Sequence, residues 1–61
     1  MNSDEEKAMF EEYGWSYNYI ERRWENPDKN AFITNDSLRQ YNESRETEEQ
    51  LKMFIIAYGK K

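Results

Sequence analysis

Ten aromatic side chains carry most of the apolar surface of this 61-residue chain, while Leu, Ile, Val and Phe together supply nine residues. That balance is the tightest constraint on its fold. So few aliphatic side chains cannot fill a large core, and a chain of this length has room for one small domain, residues 1–61. Two Trp, five Tyr and three Phe compensate, because each ring buries a large apolar area. A folded, thin-cored domain is expected rather than a disordered one, since the net charge of −4 is mild.

The chain has no Cys and no His. Disulfide frameworks, thiolate metal sites and the usual neutral-pH base are therefore excluded, and no cofactor is expected. Ser, Lys, Tyr and carboxylates remain, but none pairs with a base at a recognisable catalytic spacing, so a non-enzymatic protein is expected. Asp28, Asn30 and Asp36 lack the glycine and terminal glutamate of a calcium loop and read as turn chemistry. The longest apolar run, Met53 to Tyr58, is far short of the roughly 20 residues of a membrane span. The segment Met1-Asn2-Ser3-Asp4-Glu5-Glu6 is acidic where a secretory signal is basic and then apolar, which points to a cytoplasmic location.

Helix signals open and close the chain. Ser3 with Glu6 forms a capping-box pattern, and Gly14 offers the left-handed position that stops many helices, with Trp15 placed to fold back on Phe10. Near the other end, Ser44 or Thr47 starts a helix, Thr47 with Gln50 repeats the box, and Gly59, Lys60 and Lys61 close it. Between them the segment 15–25 has three readings. A second helix capped by Ser16 ranks first. A continuous helix through Gly14 follows, on the stripe Phe10, Tyr13, Tyr17, Ile20 and Trp24, and a strand in which Trp15, Tyr17 and Tyr19 alternate with Ser16 and Asn18 ranks third. Asn26 to Asn30 is a turn, Ala31 to Thr34 is short and extended if anything, and Asn35 or Asp36 caps a short helical turn carrying Leu38 and Tyr41. The expected architecture is all-α: a three-helix bundle with a weakly extended segment at 31–34. Its expected core is Met9, Phe10, Tyr13, Tyr17, Ile20, Trp24, Phe32, Ile33, Leu38, Leu51, Phe54, Ile55 and Tyr58.

Three functions follow from these residues. A pI near 4.7 disfavours nonspecific attraction to nucleic acid or anionic lipid, which leaves a small acidic module that binds a partner protein and modulates or inhibits it. Trp15 and Tyr19 would form an aromatic contact patch, and Met53 and Ile56 a second face on the last helix. Six Asn and no Val fit AT-rich coding of the phage or mobile-element kind. Residues Met9 to Arg23 also resemble a helix-turn-helix, with a turn glycine, a serine cap and an apolar Ile20 in the second helix. That resemblance implies a DNA regulator presenting Tyr17, Asn18, Arg22 and Arg23 to bases and phosphates. The third function is a structural homodimer formed through the apolar surplus of the C-terminal helix.

Overall fold

The computed structural model describes residues 2–28 and 30–59. Helix α1 (Ser3–Glu12) is followed by strands β1 (Ser16–Asn18), β2 (Arg23–Asn26) and β3 (Ala31–Thr34), then by helices α2 (Asn35–Tyr41) and α3 (Arg45–Ala57). The three strands form an antiparallel sheet in the order β1-β2-β3. The fold is therefore mixed α/β, and the all-α three-helix bundle is corrected: its expected second helix at 17–25 is a hairpin.

Local chemistry explains the hairpin. The Asn18 Oδ1 accepts hydrogen bonds from the backbone N–H groups of Ile20 and Glu21, an Asx turn that draws the chain out of helical geometry straight after β1. Arg22 adopts a left-handed φ of 56°, and its carbonyl accepts from the N–H of Asn35 at 3.3 Å. That long-range bond holds a conformation unfavourable for a side chain with a Cβ. Ser16 caps no helix; it is the first residue of β1, facing Glu25. The β2-β3 connection closes as its sequence suggests, with Asn30 at φ 51° and its N–H donating to the Pro27 carbonyl.

Register assigns the two faces of the sheet. Tyr17 lies opposite Trp24, and Trp24 opposite Ile33, so these three share one face. Phe10, Trp15, Leu38, Leu51 and Ile55 complete the buried cluster with Trp24 and Ile33. Phe10 stacks on Trp24 with ring centroids 4.5 Å apart and meets Trp15 edge-on at 5.3 Å. Asn18, Arg23, Glu25 and Phe32 occupy the other face. Three expected core residues are consequently surface residues: Ile20 is 90% exposed on the β1-β2 connection, Phe32 points out from the open face, and Tyr58 lies beyond the end of α3. In β3, Phe32 and Ile33 are adjacent, and only one of two neighbouring strand residues can face the core.

The helix ends also differ in detail. Asn2, not Ser3, caps α1, its Oδ1 accepting from the N–H of Glu5. The α3 box is Ser44 with Thr47 rather than Thr47 with Gln50, and Thr34 caps α2. Gly14 stops α1 as expected, at φ 85°. The N–H of Trp15 donates to the Phe10 carbonyl and that of Gly14 to the Glu11 carbonyl, the paired bonds of a Schellman stop. Gly14→Ala should therefore destabilise by about 1–2 kcal/mol, read as a lower denaturant midpoint; a continuous helix would be stabilised by the same change. Gly59 serves a different purpose, close approach, since a Cβ there would stand 2.6 Å from the Tyr13 Cβ. Lys60 and Lys61 lie outside the described residues.

Candidate functional site

A groove of about 430 Å³ runs between α1 and β1. Ser3, Glu6, Lys7 and Glu11 of α1 form one wall; Trp15, Ser16, Tyr17 and Tyr19 form the other, with Trp24 and Asn35 completing the lining. The Schellman stop ends α1 with three residues left before β1 begins, and the groove opens between the two elements. The Tyr17 hydroxyl and the Asn35 side chain are hydrogen-bonded, which holds the β1 ring against the start of α2. Tyr17 and Tyr19 meet nearly at right angles, centroids 4.9 Å apart. Glu6 is held by the Asn42 Nδ2, which donates to its Oε2 at 3.1 Å.

The electrostatics of α1 are unusual. Its ten residues contain five acids and one base, a net charge of −4, which is the net charge of the entire chain. The other 51 residues balance, with eight acids and eight bases. Asp4, Glu5 and Glu6 sit in the first turn, where the helix dipole favours them. Glu11 and Glu12 sit in the last turn, where the same dipole disfavours them and which contains no basic residue of its own.

The residues singled out from sequence are dispersed. Trp15 is buried in the core, 3% exposed, and its Nε1–H donates to the Ile55 carbonyl at 3.2 Å; the ring's place is structural, with only its edge of the groove left. Tyr19 is 80% exposed at the groove rim. Met53 and Ile56 are exposed on α3 and line no part of the groove. The helix-turn-helix set is divided by the sheet: Tyr17 faces the helices, while Asn18 and Arg23 lie on the open face and Arg22 in the turn. Residues 17–25 form a hairpin, so the recognition helix expected there is absent, and that geometry is corrected along with the bundle. Glu6, Glu11 and Asn35 line the groove without being among the partner-binding residues expected from the sequence. The net charge on residues 3–12, and two acids at the wrong end of a helix, were the signals that could have found the first two.

The open face carries a polar network rather than a site. Arg23 donates through Nε to the Glu25 Oε2 at 2.8 Å and lies 4.4 Å over the Phe32 ring, while the Asn18 Nδ2 donates to the Glu25 Oε1. The hydrogen bond from Arg23, helped by that from Asn18, holds the Glu25 carboxyl below its ordinary range against an opposing effect of desolvation. A carboxyl with a lowered folded pKa stabilises above its unfolded pKa, and that contribution disappears as pH falls through the folded value. Glu25→Gln should thus be less stable than the native chain at pH 7 and converge with it below roughly pH 4, read from melts across a pH series.

Among the described residues, no cluster of three acidic, His or Cys side chains could hold a metal ion, and no helix is long and apolar enough to cross a membrane. No family model, curated protein or solved structure compared with the chain matches it.

Proposed function

We propose that this chain is a small, acidic, non-enzymatic module, acting in the cytoplasm, that binds a partner protein and modulates or inhibits it. One observation carries the reading: three of the nine Leu, Ile and Phe residues, Ile20, Phe32 and Ile56, are exposed in a chain that can hardly spare them from its core. The β1-β2 turn presents an exposed aromatic, Tyr19, which lines the groove, and next to it in sequence an exposed aliphatic, Ile20. Rigid rings with exposed apolar neighbours are what protein interfaces concentrate at their centres. The test is capture by the immobilised chain from its own cell extract, beside a Tyr19→Ser, Ile20→Ser variant shown by circular dichroism to be folded. Capture of a protein that the variant fails to hold supports the reading; identical capture by both, or none, contradicts it.

A second reading rests on α3, where Met53 is 69% and Ile56 46% exposed. Their apolar area suits a two-fold contact between copies, a structural homodimer. Sedimentation equilibrium separates the two readings. A dimer abolished by Ile56→Lys favours self-association, whereas a monomer at high concentration leaves the module acting alone.

A further inference from the structure

We propose that the α1-β1 groove takes a basic, extended segment of the partner protein, which adds beside β1 as a fourth strand and places a Lys or Arg side chain between Glu6 and Glu11. This deepens the binding-module reading and rests on it. Ser16 and Tyr17 are consecutive in β1, so their side chains leave opposite faces of the sheet, yet both line the groove. The groove thus reaches the edge strand β1 as well as the core face of the sheet, where Trp24 lines it. β1 is an outer strand, paired on one side alone with β2. An outer strand offers backbone donors and acceptors to an incoming strand, and main-chain bonding of that kind supplies affinity while flanking pockets select side chains.

Charge decides which side chains are selected. The groove lining holds two carboxylates, Glu6 and Glu11, against the single base Lys7, and α1 carries the whole net charge of the chain. Glu11 stands where its own helix repels it, a local conflict that a cationic ligand relieves. Across the groove, the rings of Tyr17 and Tyr19 meet at 74°, a corner whose faces attract a cation and whose edges leave room for an aliphatic stem. An acidic segment or a nucleic-acid backbone would meet repulsion at the same place.

The experiment starts from a display library of random nine-residue peptides selected on the full chain. Enriched peptides are expected to carry Lys or Arg in excess and to shift the amide resonances of residues 6–11 and 16–19. The Glu6→Gln, Glu11→Gln variant should bind them at least tenfold more weakly while its denaturant midpoint changes little, since the loss of a favourable charge at Glu6 opposes the gain at Glu11. Methylating the peptide's central backbone nitrogens should cost a similar factor. Enrichment without a basic bias, or affinity unchanged by either alteration, overturns the proposal. Basic peptides whose shifts fall on Met53 and Ile56 instead would overturn it while leaving a binding module, and a library that yields no binder would remove both.

Discussion

Asn26→Asp is expected to lose about 3–5 kcal/mol of stability at pH 7. Asn26 is fully buried at the end of β2, and its Nδ2 donates to the Tyr58 carbonyl at 2.7 Å, the bond that ties the sheet to the end of α3. Its Oδ1 accepts from none of the described residues. An aspartate there would replace a donor with an ionised acceptor facing the Tyr58 carbonyl, itself an acceptor, at a fully buried position. An unpaired buried charge costs about 3–5 kcal/mol, against a total stability of roughly 3–9 kcal/mol for a domain of this size. The new carboxyl's folded pKa would be raised, so its penalty shrinks as pH falls and the group enters the folded state protonated, able to donate to Tyr58. Urea titrations at pH 7 and pH 5 should show the deficit against the native chain narrowing on acidification. A variant within about 0.5 kcal/mol of the native chain at pH 7 would mean that Asn26 is solvated.

Phe10→Ala should be comparably severe. The ring is fully buried, stacked on Trp24 and edge-on to Trp15, and so connects α1 to both the sheet and the Schellman stop. Truncating a buried Phe costs about 3–5 kcal/mol, and the thin core offers few aliphatic neighbours to close the cavity. Phe10→Leu keeps much of the volume and should lose less than half as much. Equal losses in the two variants would show that ring stacking, rather than filled volume, sets the stability. Tryptophan fluorescence under denaturant reports both cases.

The parts of the fold legible in the sequence are those with local signals. Helices α1 and α3 have capping residues at their starts, α3 has a periodic apolar face, and the turn after Pro27 has the residues its geometry needs. Gly14 with Trp15 two places past the Tyr13 C-cap was enough to place Trp15 on Phe10. The β1-β2 hairpin was not legible in this way. Its strands hold three and four residues, too few for alternation to outweigh the helical spacing of Tyr17, Ile20 and Trp24. Its connection lacks a glycine, and Arg22 takes the left-handed position through a hydrogen bond from Asn35, thirteen residues later. No local pattern encodes that bond. The groove was partly readable for the same reason: the charge of α1 is written in the sequence, whereas its proximity to Tyr17 and Tyr19 depends on the hairpin.

Everything assigned to the groove depends on Ser16–Asn18 being the edge of a sheet. The most direct measurement is the pattern of backbone proton contacts in an isotopically labelled sample by nuclear magnetic resonance. The fold described above predicts cross-strand contacts linking Tyr17 to Trp24 and Trp24 to Ile33. Sequential helical contacts between residues three apart through 17–25, with no link from Trp24 to Ile33, would restore the helix, remove the edge and contradict the account.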